Sequence, residues 1–422
     1  MRVMVIGSGG REDALSRALA ESKIVTGVIV APGRKRLKPL KKIANVPIPA
    51  SDTNGLIELA QENRIELIVP GPETQLVAGF ADMARRAGFN VFGPSAGVAM
   101  LTEGSKCAAK RFMERSGIPT AAPFRCFSPG DNPKIYVKFL TTVKKAHKIV
   151  VKDDQLAGGK GVTIAPTPED ALAAAEKLAS RGHGYVIERC LEGREMTYTC
   201  LVAGASFLPL ASSRDYKVFN GKMSGGMAAI SPEPRLTPEL EAKILERIVR
   251  PTIKGLIAEG YCYCGFLYFG IIVVNDEPLL LEYNCRLGDP EAQVILPRLL
   301  DNLAPVLLAG ATLGKFPPTL RWDPRAAATV VLAAEGYPES PVPGAEIFGI
   351  EEAEAEPDTI VYRAGSDERD GKIFVSGGRV LNVTGFGATP RRALDRAFAS
   401  AAKIKFAGMQ RISADWDVGP RD

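Results

Sequence analysis

Histidine is almost missing from this chain, two residues in 422. Neither His147 nor His183 lies in a motif, which argues against a Cys/His zinc site and against imidazole as a general base. Cysteine is scarce as well. Its seven copies are odd in number and scattered through predicted strands and helices, Cys262 and Cys264 among them. Reduced buried thiols are expected, not a disulfide framework. No run reaches the ~18 apolar residues that a membrane span requires. The chain opens on an apolar strand without a basic-then-apolar leader, so a soluble cytoplasmic protein is expected. The formal charge, +5, is modest for this length and gives no reason to invoke nucleic acid. One stretch breaks that balance: Arg34-Lys35-Arg36-Leu37-Lys38-Pro39-Leu40-Lys41-Lys42 holds six basic side chains in nine residues. Aromatic residues, which would interleave as stacking platforms, are lacking there. The run reads foremost as a solvated loop, next as part of a site for a phosphorylated substrate, and last as a nucleic-acid patch. The expected partners are small molecules, with no nucleic acid and no membrane.

Apolar material is plentiful, 46% of residues against 24% charged, enough to bury several cores. At ~100–200 residues per domain the length suggests about three domains. Residues 1–101 alternate apolar strands (Val3 to Ile6, Val25 to Val30, Leu67 to Val69, Val91 to Phe92) with helical stretches such as Asp13 to Glu21 and Leu76 to Ala87. That order favours a parallel sheet covered by helices. Ligands of such sheets sit at the carboxyl ends of strands, where Gly7 to Gly10 and Gly71 to Glu73 fall. The first loop spells Gly-x-Gly-Gly and not the dinucleotide fingerprint. An amphipathic helix is expected from Pro238 to Glu259. Beyond Arg325 the chain turns strand-rich, with Gly344 to Ile350 and Lys372 to Val383 punctuated by glycine pairs and a final helix from Arg391 to Lys405. The fold class is α/β and α+β, multidomain.

Four segments carry chemistry. In Leu280-Leu281-Glu282-Tyr283-Asn284-Cys285-Arg286-Leu287-Gly288-Asp289-Pro290-Glu291, strand alternation sends Glu282 and Asn284 to one face. Two hard oxygen ligands side by side suit Mg²⁺, which takes a few protein oxygens plus those of a polyphosphate. A buried acid satisfied by hydrogen bonds is the plainer alternative. The run Ile149-Val150-Val151-Lys152 leads through Asp153-Asp154-Gln155-Leu156-Ala157 into Gly158-Gly159-Lys160-Gly161, a glycine-rich loop whose amides and lysines suit anionic oxygens. It is not a Walker A loop, because Gly161 and not Ser or Thr follows Lys160. Glu103-Gly104-Ser105-Lys106 opens an amphipathic helix. Tyr185-Val186-Ile187-Glu188-Arg189-Cys190-Leu191-Glu192-Gly193-Arg194-Glu195 is an apolar strand running into an acidic connection, where a backbone edge suits an adenine and a carboxylate suits ribose hydroxyls. Solvated charges in a hairpin are the alternative there.

In this order, the segments resemble the ATP-grasp superfamily and, within it, the phosphoribosylamine–glycine ligase family. The similarity runs from Val5-Ile6-Gly7-Ser8-Gly9-Gly10-Arg11-Glu12 through Val69-Pro70-Gly71-Pro72-Glu73, Val91-Phe92-Gly93-Pro94-Ser95 and Gly265-Phe266-Leu267-Tyr268 to Ser376-Gly377-Gly378-Arg379-Val380-Leu381. The resemblance implies an N-terminal parallel-sheet domain of the pre-ATP-grasp, Rossmann-like kind (1–101), an ATP-grasp domain (102–325) with a lid at about 121–190, and a strand-rich C-terminal domain (326–422). It implies an ATP-dependent ligase that joins glycine to 5-phosphoribosylamine through an acyl phosphate, with ATP as co-substrate, Mg²⁺ or Mn²⁺ as metal, and a monomer or homodimer. Lys106 and Lys152 would bind the nucleotide phosphates and Lys160 would close over them. Glu188 and Leu191 would border the adenine, with Glu195 on the ribose. Glu282 and Asn284 would hold the metal. Arg286, Asp289 and Pro290-Glu291 would shape the reaction chamber, and Gly9, Gly10, Glu73 and Arg379 the phosphoribosyl side.

Several positions depart from the family pattern. Where the family has His after Gly-Arg-Glu, Asp13 stands, and Ala-Pro-Gly-Asn-x-Gly becomes Ala31-Pro32-Gly33-Arg34-Lys35-Arg36. Gln-Asp-His becomes Arg214-Asp215-Tyr216, and Gly-Pro-Asn-Thr-Gly-Gly-Met-Gly becomes Gly221-Lys222-Met223-Ser224-Gly225-Gly226-Met227-Ala228. The lid loop reads Ala157-Gly158-Gly159-Lys160-Gly161 in place of Ala-Ala-Gly-Lys-Gly. Most of these changes are expected to touch the organic substrates, leaving the ATP machinery intact. Three readings follow: a glycine ligase of this family, a paralogue joining a different acid to a different amine, or a non-catalytic nucleotide-binding protein. Keeping Lys160, Glu282 and Asn284 together speaks against the last.

Overall fold

The computed structural model describes residues 1–156, 158, 161–219 and 221–418. Its first five strands, β1 (Arg2–Gly7), β2 (Gly27–Pro32), β3 (Ile43–Asn45), β4 (Leu67–Pro70) and β5 (Asn90–Val91), form a parallel sheet in the order β3-β2-β1-β4-β5. Val3 and Val5 of β1 pack on one side with Leu15 and Leu19, while Met4 and Ile6 pack on the other with Leu56 and Phe80. A strand buried on both faces has to read as a continuous apolar run, as β1 does. Strand order reverses between β1 and β4, so their carboxyl ends open a crevice at Gly7–Gly10 and Gly71–Glu73. The single helix predicted from Leu76 to Ala87 is two, Glu73–Val77 and Phe80–Arg86. Between them Gly79 takes φ +88°, a left-handed conformation that stops the first helix and starts the second.

A four-stranded antiparallel sheet runs Ser206–Pro209, Arg194–Ala203, Cys264–Val274, Glu277–Asn284. The helix Lys106–Arg115 and the helical run Pro238–Ala258, which includes one π turn at Leu245–Val249, cover one face through Phe112, Ile248 and Leu256. The segment expected to act as a lid folds as a second four-stranded sheet, Phe124–Phe127, Tyr185–Arg189, Ile149–Asp153 and Val162–Ala165, with helices Lys134–Thr142 and Pro168–Ala179. It has its own core of Phe127, Tyr136, Leu140, Ile149 and Tyr185.

The C-terminal sheet draws on chain from well before residue 326. Its order is Arg214–Phe219, Lys222–Ser231, Ala326–Ala333, Arg379–Gly387, Thr359–Arg363. The hairpin of residues 214–231 joins it because Met227, Ala228 and Ile230 find their apolar partners there, against Ala393, Leu394 and Ala397 of the helix Pro390–Ala401. Gly344 to Ile350, predicted as a strand, makes isolated bridges at Glu346 and Phe348, and a short helix begins at Ile350 after Gly349 at φ +81°. The run Lys372 to Val383 is two strands, Lys372–Val375 and Arg379–Gly387, parted at Ser376–Gly378. Among the described residues no helix is long and apolar enough to cross a membrane.

Candidate active site

The three parts meet around a cleft of ≈ 320 Å³. One wall is the strand Glu277–Asn284, whose pairing slips where Gly270 faces Glu282 but Ile271 faces Leu280. Leu281 is the extra residue of this β-bulge. Before it the core takes even positions, Pro278 and Leu280, and after it the odd position Tyr283. A regular strand with Leu280 in the core would have buried Glu282 beside it. The bulge turns Glu282 and Asn284 to the cleft, on the common face that alternation predicts.

At the lid end, Glu188 is clamped between two lysines, with Lys152 Nζ at 2.6 Å and Lys110 Nζ at 2.7 Å, all three nearly inaccessible. Burial opposes ionisation of Glu188, yet Lys152 and Lys110 outweigh it and hold the carboxyl below its ordinary range. The two lysines diverge. Burial lowers Lys110 to about 8, because the pull of Glu188 is offset by the like charge of Lys152. Burial also works against Lys152, but Glu188 and Glu282 together raise it. Lys106 reaches across to the carbonyl of Gln155 at 3.0 Å, and burial lowers it against Glu282 and Asp153. Its helix is capped by Ser105, whose Oγ accepts from Ala108 N at 3.0 Å and donates to Asp154 Oδ1 at 2.9 Å. Leu191 and Glu195 also line the cleft, Glu195 exposed.

Deeper in, Arg286 joins several groups. It meets Glu103 Oε1 at 2.8 Å and Glu73 Oε2 at 3.2 Å, and it donates to Asn284 Oδ1 at 3.1 Å. Burial opposes charge on Glu73, but Arg286 and Arg11 bring it down to about 2. Burial wins at Glu103 and raises it, despite Arg286. Lys217 Nζ lies 3.2 Å from Tyr268 Oη, 3.5 Å from Asp215 Oδ1 and 3.8 Å from Glu282 Oε1. Burial disfavours the Glu282 anion, yet Lys217, Lys152 and Lys106 keep it ionised. Glu291, buried beside Asp215, rises to about 7 through burial and that like charge. Asp289 accepts from Gln293 Nε2 at 2.7 Å and faces Arg379 Nη2 at 3.5 Å. Arg379 also donates to the backbone oxygens of Asp289 (2.6 Å) and Gly226 (3.1 Å), tying the C-terminal sheet to the cleft.

Twelve of the residues singled out from sequence line this cleft: Glu73, Lys106, Lys152, Glu188, Leu191, Glu195, Glu282, Asn284, Arg286, Asp289, Glu291 and Arg379. Gly9 and Gly10 lie beside it at the start of the helix Gly10–Glu21, where Glu12 Oε2 accepts from Gly9 N at 2.6 Å. A Cβ on Gly10 would strike Asn382 Oδ1 and Gln293 Nε2, so that glycine serves close packing. Lys160 lies outside the described residues. Lys110 and Lys217 stand outside the motifs read from sequence, and Glu103 entered only as the first residue of the segment that opens the Lys106 helix. Lys110 was legible, standing one helical turn after Lys106. Among the described residues no group of three His, Cys, Asp or Glu is placed for a metal. The fit of a divalent cation rests instead on an ionised carboxylate, one third exposed to the cleft, beside an amide oxygen.

The unusual residues Asp13, Arg34, Arg36, Arg214 and Tyr216 are answered within the chain, whereas Gly158, Met223 and Ser224 of the other altered segments line the cleft. Asp13 pairs with Arg36 and lies 3.5 Å from Arg17 Nε, and it accepts from Arg363 N at 2.9 Å. Arg34 donates to Ser8 O at 2.9 Å and meets Asp367 at 2.8 Å, Lys38 meets Glu351 at 2.7 Å, and Lys42 donates to Ala20 O and Ser22 O. The basic run is therefore largely a seam to Glu351, Glu354 and Asp367 of the C-terminal part, with Lys35, Lys38 and Lys41 exposed. Arg214 and Tyr216 point away from the cleft that Asp215 and Lys217 line.

Models of phosphoribosylglycinamide synthetase match the chain in three parts, the N domain at residues 1–102, the ATP-grasp (A) domain at 104–292 and the C domain at 327–412. The phosphoribosylamine–glycine ligase of Vibrio parahaemolyticus is 40% identical over 420 residues, 97% of this chain and 96% of that protein. That of Salmonella typhimurium is 41% identical over 435 residues, 100% of each. The crystal structure of the Thermotoga maritima phosphoribosylamine–glycine ligase superposes with a TM-score of 0.79 at 33% identity, covering 97% of this chain and 99% of that one. The biotin carboxylase domain of a Hydrogenobacter thermophilus 2-oxoglutarate carboxylase, solved with MgADP, shares the fold at 18% identity and a TM-score of 0.70, over 97% of this chain and 91% of that one. Matched by the family's three domains in order, the chain belongs to the phosphoribosylglycinamide synthetase family and has the ATP-grasp fold.

Proposed function

We propose that this protein is an ATP-dependent ligase that joins glycine to 5-phosphoribosylamine, giving glycinamide ribonucleotide, ADP and phosphate. A carboxylate is inert to amines because oxide would have to leave. Transfer of the terminal phosphoryl group of ATP to a glycine oxygen makes an acyl phosphate and releases ADP. Attack by the amine nitrogen forms the amide bond, expels phosphate and sheds one proton from nitrogen. The protein contributes positioning and charge neutralisation.

On this reading Lys106 and Lys152 take the nucleotide phosphates, with Lys160 closing over them. Leu191 and the backbone of Glu188 border the adenine, since the Glu188 carboxylate is occupied by its two lysines. Glu195 takes the ribose. Glu282 and Asn284 hold Mg²⁺ or Mn²⁺, which supplies Lewis-acid polarisation and neutralises phosphate charge. Lys217, 3.8 Å from Glu282, adds a cation at the transfer point. Arg286, Asp289, Glu73 and Arg379 shape the chamber for glycine and the phosphoribosyl group. The protein acts on small molecules in the cytoplasm, as a monomer or homodimer.

The observation that carries this reading is full-length correspondence with glycine ligases combined with a cleft that Asp13, Arg34, Arg36, Arg214 and Tyr216 do not line; of the altered segments, Gly158, Met223 and Ser224 reach it. Arg214 and Tyr216 face outward, and Asp13 and Arg36 neutralise each other, which weakens the case for a paralogue with other substrates. ADP release with glycine plus freshly generated 5-phosphoribosylamine should far exceed that with alanine or β-alanine. Turnover with another acid and none with glycine would overturn the assignment.

A further inference from the structure

The strand Arg214–Phe219 is paired on one side only in its sheet. It lies at the edge, and its ladder with Lys222–Ser231 breaks between Tyr216 and Val218, leaving Lys217 at the interruption. Yet this residue has to hold its ammonium among Tyr268, Asp215 and Glu282. A bulge on an edge strand re-aims a side chain locally, and contacts from outside the sheet then fix that aim.

Those contacts come from the last described residues. The Trp416 ring lies 5.7 Å from that of Tyr216, and the Arg214 guanidinium stands 5.5 Å over the Trp416 ring. Arg214 Nη2 donates to Asp417 O at 2.7 Å, and Arg235 meets Asp417 Oδ2 at 2.9 Å. Val418 and Ile412 are buried in the C-terminal core, anchoring the segment on both sides. This tail lies beyond residue 412, where the family's C-domain match ends. Its two aromatic and cationic partners, Arg214 and Tyr216, are positions at which the chain departs from the family's Gln-Asp-His. Alternation then puts Asp215 and Lys217 on the opposite, cleft-facing side.

We propose that residues 413–418 form a positioning clamp, in which Trp416 grips Arg214 and Tyr216 and so fixes Lys217 and Asp215 in the cleft. Trp416 is a positioning residue. Arg214 and Tyr216 are the chain's adaptation to its tail, not to a different substrate. This inference rests on the ligase reading for the purpose served by Lys217, but not for the geometry.

The test compares Trp416→Ala and Trp416→Phe in the full chain, and Trp416→Ala combined with Arg214→Gln and Tyr216→His. Trp416→Ala should lower kcat about tenfold, the scale of a small misplacement of an active group, with KM for ATP and the melting temperature little changed. Trp416→Phe should restore most of the loss. Where Arg214 and Tyr216 have already been replaced, Trp416→Ala should alter kcat by no more than about twofold, because contacting residues couple. Equal losses in both backgrounds, an unchanged kcat in Trp416→Ala, or a loss that tracks melting and is not rescued by Phe would overturn the clamp. Labelling of Lys217 by an amine-reactive ester, read by mass spectrometry, should rise several-fold in Trp416→Ala. This second readout needs no turnover. An inactive wild-type enzyme would therefore refute the ligase reading alone, and unchanged labelling would refute the clamp.

Discussion

Glu282 faces the cleft because Leu281 is one residue too many for its strand. The shared face of Glu282 and Asn284 was readable from alternation, but the bulge was not, since it is fixed by pairing with Gly270 and Ile271 on another strand. Lys217 escaped notice for a similar reason: its partners Tyr268 and Glu282 stand far along the chain, and nothing local marks it. Two predictions belong at this scale. Glu282→Gln should lower kcat by about two orders of magnitude or more with folding intact, and near-normal steady-state turnover would show that the metal lies elsewhere. Glu291 carries its proton to about 7, against 4.5 ordinarily, so between those values the folded state holds a proton that the unfolded state has lost. Wild-type stability therefore declines, relative to Glu291→Gln, as pH rises through that window, and the gap stays constant above it. Denaturant unfolding of both proteins from pH 4 to 8 measures this, and parallel curves would contradict it.

At the scale of elements, helices and strands with strong periodicity were legible, and those defined by tertiary partners were not. The Pro238 helix was readable from its pattern, whereas Gly79 splits its predicted helix by a left-handed turn and Gly344 to Ile350 finds too few partners to be a strand. The hairpin at 214–231 sits with residues that follow it by a hundred positions, a pairing no local signal announces. The seam between the first helix and the C-terminal sheet makes a further prediction. Asp13 is buried among Arg17, Arg36 and the Arg363 amide, and these charges overcome burial to keep it ionised. Asp13→His, the family's residue, removes that carboxylate and should cost about 3 kcal/mol by urea unfolding, as expected when a buried pair loses one partner. Adding Arg36→Asn should recover a good part of it. Equal stability of wild type and Asp13→His would mean that the pair is not coupled.

For the whole molecule, fold class and the cleft's principal residues were legible because the motifs occur in order along the chain, while the reason for the substitutions became visible only when distant segments met. Asp13 and Arg36 are 23 positions apart, and Arg214 lies about half the chain away from Trp416. A cleft lined by lid, central sheet and C-terminal sheet also predicts that ligand binding steadies the entire chain. ADP with Mg²⁺ at a hundredfold excess over its Kd should raise stability by about 2.7 kcal/mol, read as a shift in melting temperature, and no shift would speak against a nucleotide site. The most direct test of the central claim follows the oxygen atoms. With glycine carrying heavy oxygen in its carboxylate, turnover in the presence of ATP and 5-phosphoribosylamine should deliver one labelled oxygen to each phosphate released. Phosphate free of label would contradict activation through an acyl phosphate.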